Sequence, residues 1–336
     1  MTEAIPLFTP VTLLTGFLGS GKTTLLRRLL ADPALADTAV LINEFGEIGL
    51  DHHLLERIDD RTVLLASGCL CCTVRGELAD AVRDLHSRRE RGSIPPFRRL
   101  VIESTGLADP FPVLTTFHAD PVLKHHFRMV GVVTTVDAVN GAATLARHAE
   151  SVKQVAVADR IVLTKTDIAT SAASASLARR VRALNPAATF SRADDAAHLS
   201  DLLTPSTGMR DAASADWIAA ELQSATPLSA HATSITAFAL TFATPLDWTA
   251  FALWLSMLLH RHGTQVLRVK GILNVAGTDM PVAIHGVQHL VHPPTHMQAW
   301  PDGDRHSRLV FIVDGLAREA IEQSLATFCG VHAGVG

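Results

Sequence analysis

The chain has 336 residues, of which 48% are hydrophobic and 18% are charged, and its formal net charge is -4. This composition excludes an intrinsically disordered chain, and the small charge gives no indication of a nucleic-acid or anionic-membrane partner. At roughly 150 residues per domain, the length predicts two domains.

Signals for membrane insertion and export are missing from the sequence. No apolar run reaches membrane-spanning length, and MTEAIPLFTP has neither the basic nor the apolar part of a signal peptide. Three of the four cysteines are nearly contiguous, unlike the spaced framework of a disulfide-stapled secreted domain. We therefore expect a cytoplasmic protein whose clustered thiols bind a metal or react.

The first two thirds of the chain alternate between short apolar runs and helical patterns. The predicted strands are 11–15, 38–42, 63–66, 99–102, 129–136 and 160–164, and the helical patterns between them include 22–30, 75–89 and 173–184. This alternation predicts an α/β domain with a mostly parallel sheet and helices on both faces. Ligands of such sheets bind at the carboxyl ends of the strands, where we expect the functional site.

The remaining third predicts a linker and a smaller α+β domain. Residues 206–232 are rich in Ser, Thr, Ala and Pro, with a short helical pattern at 217–222. Beyond them the patterns predict strands at 234–242, 265–275, 280–284 and 308–313, with helices at 247–261 and 316–328. The predicted organisation is a first domain over 1–205, the linker, and a C-terminal domain over 233–332.

The segment GFLGSGKT, from Gly16 to Thr23, fits the phosphate-loop pattern G-x-x-x-x-G-K-[ST] between a strand and a helix. Its glycines allow backbone N–H groups to cradle phosphates at the helix N-terminus. Lys22 would reach the β- and γ-phosphates, and the Thr23 hydroxyl would ligate Mg²⁺. Gly16 and Ser20 belong to the same predicted nucleotide-binding loop.

The strand in LVIESTGLADP ends at Glu103, where a P-loop NTPase carries an acidic residue for Mg²⁺. Gly106, just beyond, would offer its N–H to the γ-phosphate. Lys22, Thr23 and Glu103 are therefore the predicted catalytic residues. The alternative is that Glu103 is a surface carboxylate in a turn.

The later segment TKTD, from Thr164 to Asp167, predicts guanine recognition. Asp167 would accept hydrogen bonds from N1–H and the 2-amino group of guanine, a donor pair that adenine lacks. Lys165 would lay its aliphatic stem along the base. Thr164 stands where the guanine-specific pattern usually has Asn, so the motif favours GTP over ATP with one departure.

The segment GCLCC carries Cys69, Cys71 and Cys72 directly after a predicted strand. Thiolates are soft ligands suited to Zn²⁺ or Cu(I), and three of them leave a tetrahedral zinc ion in need of a fourth ligand. Two alternatives remain open: small buried hydrophobic residues at a strand end, or redox-active thiols.

A fourth ligand is predicted in NEFGEIGLDHH, residues 43–53, which carries two glutamates, an aspartate and two histidines. Glu44 is our candidate. The segment follows the second strand, where a nucleotide-sensitive switch of a P-loop GTPase lies. A metal site shared with the cysteine loop would couple the metal to the γ-phosphate.

Taken together, GFLGSGKTTLL, NEFGEIGLD, GCLCC, ESTGLADP and TKTD, followed by RVKGIL and Trp300, resemble the CobW family of metal-handling GTPases. That family is related to the urease and hydrogenase nickel-insertion GTPases. The resemblance covers nearly the whole chain, and GCLCC with ESTGLADP is its most specific part.

The resemblance implies a slow GTPase that binds zinc or cobalt and delivers it to an apo-metalloprotein client. It assigns the phosphates to Gly19, Gly21, Lys22 and Thr24, and Mg²⁺ to Thr23 with Glu103. It assigns guanine to Lys165 and Asp167, and the transferred metal to Cys69, Cys71 and Cys72 with Glu44. The rival hypotheses are a GTP-dependent regulator or assembly factor with redox-sensing or structural cysteines, and a P-loop kinase.

Other histidines and the fourth cysteine are weaker candidates. We interpret His285, His289, His292 and His296 as solvated or core residues rather than ligands, and the same holds for His118, His125 and His126. Cys329, alone in the last predicted helix, is expected to pack in the core.

Overall fold

The computed structural model describes residues 8–42, 63–66, 74–195, 200–203, 234–301 and 303–331. By its internal contacts the chain divides into two compact units, Met1–Ala178 with Phe190–Ser206, and Arg179–Thr189 with Thr207–Gly336. The predicted linker, including its short helical pattern, falls outside the described residues, so the predicted domain boundaries stay a prediction.

The first sheet has seven strands and confirms the predicted α/β class. The strands are β1 (Thr9–Gly16), β2 (Thr38–Ile42), β3 (Val63–Ala66), β4 (Arg99–Glu103), β5 (Phe127–Asp137), β6 (Arg160–Thr164) and β7 (Thr189–Arg192). Their order is β3-β2-β4-β1-β5-β6-β7. Every neighbouring pair among the first six strands of the chain is parallel. Because these six strands run the same way, their carboxyl ends share one edge of the sheet.

Seven helices accompany this sheet in the described part of the chain. They are α1 (Lys22–Leu30), α2 (Val74–Glu90), α3 (Phe111–Ala119), α4 (Pro121–His126), α5 (Gly141–Arg147), α6 (Ala149–Val157) and α7 (Ser171–Leu184). The helical patterns of the sequence identified α1, α2 and α7. Leu25, Leu26 and Leu29 of α1 pack against Leu14 of β1 and Val101 of β4, which fixes the helix beneath the phosphate loop.

The second sheet is antiparallel, as an α+β domain requires. Its strands are β8 (Ile235–Phe242), β9 (Val266–Leu273), β10 (Val282–Val287), β11 (Leu290–Val291), β12 (Thr295–His296) and β13 (Ser307–Asp314). They follow the order β11-β10-β9-β13-β8, and β12 pairs with β10.

Two helices, α8 (Trp248–His262) and α9 (Arg318–Cys329), pack on the second sheet. Asp247 caps α8 by accepting a 2.8 Å hydrogen bond from the Ala250 N–H. Phe251 and Trp254 of α8 join Phe311 of β13 in the core. Cys329 is partly buried against this core, as expected.

None of the helices in the described ranges is both long enough and apolar enough to cross a membrane.

Candidate functional site

The phosphate loop connects β1 to α1 and depends on glycine at two close approaches. Gly16 has a φ of +139°, and a Cβ there would lie 2.3 Å from Thr135 Oγ1. Gly21, the N-cap residue of α1, is left-handed with a φ of +88°. These conformations are accessible to glycine and costly for other residues. The backbone conformation of the loop therefore explains why the motif has glycine at positions 16 and 21.

The loop lysine is folded back across the loop. Lys22 is only 8% exposed, and its Nζ donates hydrogen bonds to Gly16 O at 3.0 Å and to Phe17 O at 3.5 Å. The ammonium group is therefore held at the N-terminus of α1, where the helix dipole also favours an anion.

Thr23 and Glu103 meet across the carboxyl ends of β1 and β4. The Thr23 hydroxyl donates a 2.8 Å hydrogen bond to Glu103 Oε1, and Glu103 is 5% exposed. A hydroxyl and a carboxylate are oxygen donors of the kind that Mg²⁺ prefers. The donor set present fits the predicted magnesium site, and the alternative of an exposed surface carboxylate is wrong.

Thr164 ties β6 to the phosphate loop. Its hydroxyl donates a 2.7 Å hydrogen bond to Ser20 O and also lies 3.2 Å from Val136 O. Ser20 Oγ in turn lies 2.6 Å from Thr135 Oγ1, so the loop is joined to β5 as well. Thr164 stands where the guanine-specific pattern usually has Asn, and its hydroxyl still donates a buried hydrogen bond to the phosphate loop.

Lys165 is paired with Asp137, a residue that the sequence analysis missed. Lys165 has a φ of +56°, and its Nζ lies 2.8 Å from Asp137 Oδ2. Burial opposes ionisation of Asp137, but hydrogen bonds from Lys165, the Val139 N–H and Asn140 outweigh it and lower the pKa of the carboxyl. Asp137 therefore stays ionised and orients Lys165. Its place at the end of β5 is the signal that could have identified it.

A pocket of about 260 Å³ lies beside the phosphate loop. Its lining comes from the phosphate loop, the carboxyl end of β5, the two helices that follow β5, and Lys165. Representative lining residues are Gly19, Ser20, Asp137, Asn140, Gln154 and Lys165.

The loop after β4 is held against the phosphate loop. Ser104 Oγ donates a 2.8 Å hydrogen bond to Thr15 Oγ1, and a Cβ on Gly106 would lie 2.5 Å from both N and Cα of Leu18. Glycine at 106 therefore allows the two loops to touch. The side chain of Gln154, also missed by the sequence analysis, contacts this loop from α6.

The other predicted site residues are either exposed or lie outside the described residues. Thr24 is exposed in the first turn of α1, and Asp167 is exposed in the turn after β6. Cys69, Cys71, Cys72 and Glu44 lie outside the described residues.

The weaker histidine candidates form no cluster of three metal-binding groups among the residues that the structure describes. The rings of His86 and His126 lie 4.1 Å apart, and those of His285 and His292 lie 4.5 Å apart. His289 Nδ1 lies 2.8 Å from Leu259 O. Burial is the first cause that lowers the pKa of His86, and the charges of His126 and Arg89 act in the same direction.

Comparison with known families identifies the chain. Residues 10–192 match the model of the CobW/HypB/UreG nucleotide-binding domain, and residues 235–329 match that of the cobalamin synthesis protein cobW C-terminal domain. The chain belongs to the CobW family. The first range covers the first sheet except Thr9, and the second range contains the second sheet. The resemblance inferred from the motifs is confirmed.

Individual CobW relatives cover most of the chain. The zinc chaperone YjiA of Escherichia coli is 34% identical over 321 residues, covering 94% of this chain and 97% of the relative. The zinc-regulated GTPase metalloprotein activator 1 of Schizosaccharomyces pombe is 36% identical over 205 residues, 57% of this chain and 49% of that protein. The crystal structure of Zn(II)-bound YjiA GTPase from E. coli matches with a TM-score of 0.71 and 29% identity, covering 96% and 99% of the two chains.

Proposed function

We propose that this CobW-family protein is a slow GTPase that serves as a metallochaperone. It binds a divalent metal ion at its cysteine loop and delivers the ion to an apo-metalloprotein client. The observation that carries the nucleotide half of the proposal is the 2.8 Å hydrogen bond between Thr23 and Glu103 beside the folded-back Lys22.

The nucleotide would bind with its phosphates in the loop. The N–H groups of Gly19, Gly21 and Thr24 and the ammonium of Lys22 supply positive charge where the phosphates would lie. Thr23 and Glu103 would hold Mg²⁺, which supplies charge neutralisation for the β- and γ-phosphates. Gly106 would offer its N–H to the γ-phosphate from the loop after β4.

Guanine recognition falls to Lys165 and Asp167. Asp137 holds Lys165 by a 2.8 Å ion pair, and the buried Thr164 fixes the start of the motif against Ser20. Asp167 is exposed in the following turn, so its carboxylate is accessible to the N1–H and the 2-amino group of a guanine base. These features support GTP over ATP and argue against the kinase hypothesis.

The cargo metal would bind to Cys69, Cys71 and Cys72, with Glu44 as the fourth ligand. Three thiolates favour zinc, and cobalt is the second candidate. The names of the relatives support zinc, since YjiA is a zinc chaperone and a matching crystal structure is Zn(II)-bound. A cytoplasmic location suits the proposal, because thiols stay reduced there.

Coupling between nucleotide and metal is the central part of the proposal. The segment with Glu44 follows β2, whose carboxyl end lies beside that of β4 and its Glu103. GTP with Mg²⁺ would order this segment around the cargo metal, and hydrolysis would change the metal site and release the ion to the client. No group among the described residues is assigned to position the attacking water, so we expect slow turnover that a partner accelerates.

The proposal is tested by hydrolysis and by metal binding. Purified protein should hydrolyse GTP in preference to ATP in a base-competition assay, and a preference for ATP would contradict the nucleotide assignment. Changing Cys71→Ser and Cys72→Ser together should weaken Zn²⁺ binding, with Cys329→Ser as the matched control. Unchanged Zn²⁺ affinity in the double variant would favour the rival hypothesis of a GTP-dependent regulator.

A further inference from the structure

Helix α6 contacts both loops that face the proposed nucleotide. The ring of His148, the residue that precedes the helix, lies 4.5 Å from the ring of Phe17 in the phosphate loop. From the same helix, Gln154 Nε2 donates hydrogen bonds to Gly106 O at 3.2 Å and to Ala108 O at 3.0 Å. One helix therefore touches the loop after β1 and the loop after β4.

The contact of Gln154 is buried and directional. The residue is 0% exposed, and a buried amide is costly unless it is hydrogen-bonded. Its Oε1 makes no hydrogen bond within the described part of the chain, so the donor half of the amide makes the contacts that are present. The contacts present are therefore two hydrogen bonds donated to carbonyl groups of the loop after β4.

The backbone beneath Gln154 is itself anchored to the sheet. Thr134 of β5 donates a 2.8 Å hydrogen bond from its hydroxyl to Gln154 O. The side chain of Gln154 thus extends from a fixed point to the loop after β4. That loop has little freedom on its other side, because Gly106 is in contact with the backbone of Leu18.

We propose that Gln154 is a positioning residue that holds Gly106 in the orientation from which its N–H meets the γ-phosphate, and that it thereby sets the preference of the site for GTP over GDP. The inference rests on the proposed GTPase function. Gln154 also lines the pocket beside the phosphate loop, and the role proposed for it is exerted through its hydrogen bonds to the loop after β4. GDP lacks the γ-phosphate, so its affinity does not depend on this orientation.

The test compares two substitutions at Gln154 with a control substitution at another fully buried position. Gln154→Met keeps the length of the side chain and removes both N–H donors. The control, Thr38→Val, removes a buried 2.6 Å hydrogen bond to Leu35 O at the start of β2, at the opposite edge of the sheet from the two loops. For each full-length protein, Kd is measured for a non-hydrolysable GTP analogue and for GDP, both with Mg²⁺, after thermal unfolding has shown that the variant folds. Gln154→Leu, which also lacks the donors, is measured in parallel.

We expect Gln154→Met and Gln154→Leu to lower the ratio of analogue affinity to GDP affinity by about tenfold, the effect of losing one hydrogen bond to a charged group. Thr38→Val should leave this ratio within about twofold of wild type. If the ratio is unchanged in Gln154 variants that fold, the role of Gln154 is overturned. The proposed function still stands in that case, provided that the wild-type protein binds GTP. Wild-type protein that binds neither nucleotide contradicts both.

A measurement on the wild-type protein covers the case in which both Gln154 variants fail to fold. Amide hydrogen exchange at Gly106, Leu107 and Ala108 should be slower with the GTP analogue than with GDP, because the held loop gains the γ-phosphate contact. Equal exchange with the two nucleotides overturns the inference.

Discussion

The hydroxyl of Thr164 donates a 2.7 Å hydrogen bond to the carbonyl oxygen of Ser20. This bond joins the guanine motif at the end of β6 to the phosphate loop at the end of β1, with β5 between the two strands. The segment predicted to bind guanine and the phosphate loop are therefore joined through one buried side chain.

Thr164→Val should loosen that link while keeping the shape of the side chain. Leaving the buried Ser20 carbonyl without its donor costs about 1–3 kcal/mol, measurable as a lower free energy of unfolding in urea. We also expect weaker GTP binding, because the loop loses its support. Thr116→Val is the matched control, since that hydroxyl is equally buried but bonds within α3 to Pro112 O. Equal GTP affinities in the two variants would contradict the link.

Glu103→Gln separates charge from shape at the magnesium site. The amide oxygen can still accept the hydrogen bond from Thr23, so the free energy of unfolding should change little. The loss of the carboxylate charge should lower GTP hydrolysis by about 10- to 100-fold, as expected for one interaction with a charged group. A titration of hydrolysis against Mg²⁺ should shift to higher concentration. Asp84→Asn, an exposed carboxylate of α2, serves as control. Hydrolysis at the wild-type level in Glu103→Gln would show that the carboxylate holds no catalytic cation.

Gly106→Ala should disturb GTP binding through sterics. The new Cβ would lie 2.5 Å from backbone atoms of Leu18, so the loop after β4 must move away from the phosphate loop. We expect affinity for a GTP analogue to fall by at least about tenfold while GDP affinity changes less. Gly76→Ala is the control, because a Cβ there meets no atom within 4 Å. That substitution should stabilise α2 by up to about 1 kcal/mol. An equal loss for both nucleotides in Gly106→Ala would place its effect outside the γ-phosphate contact.

Asp137→Asn tests the ion pair with Lys165 through its pH dependence. The pKa of Asp137 lies below its ordinary value of 3.8, because hydrogen bonds from Lys165 and its neighbours outweigh burial. The stability that the carboxylate contributes is therefore present above pH 3.8 and is lost as pH falls through the folded-state pKa. The stability difference between wild type and Asp137→Asn should be constant near neutral pH and shrink in acid. The exposed Asp195→Asn is the control, and a difference that grows in acid would contradict the assignment.

Local patterns predicted the elements that carry the nucleotide motifs. Strands 38–42, 63–66 and 160–164 and helix 22–30 agree with the structure at both ends, because each is a short apolar or periodic run between glycine, proline or polar residues. Helices α3 and α4 were not predicted, since their prolines resemble breakers. Pro121 at the first position of α4, after the capping Asp120, is a signal for a helix start that the sequence did contain.

The missed site residues depend on tertiary contacts. Gln154 on an amphipathic helix resembles a surface residue, and only the arrival of the loop after β4 explains its burial. Asp137 acquires its role from Lys165, which is 28 residues away in the chain. A contact between two residues so far apart in the chain leaves no local pattern in the sequence. The phosphate-binding glycines do leave one, because they lie within one short motif.

The most direct test of the account is the affinity for Zn²⁺ measured with a non-hydrolysable GTP analogue, with GDP and with no nucleotide. The same series on the variant with both Cys71→Ser and Cys72→Ser identifies the ligands. We expect Zn²⁺ to bind more tightly with the GTP analogue than with GDP, by about tenfold or more, as is typical of two coupled sites. The double variant should lose this difference. A wild-type affinity that is the same in all three nucleotide states would contradict the coupling of metal to GTP.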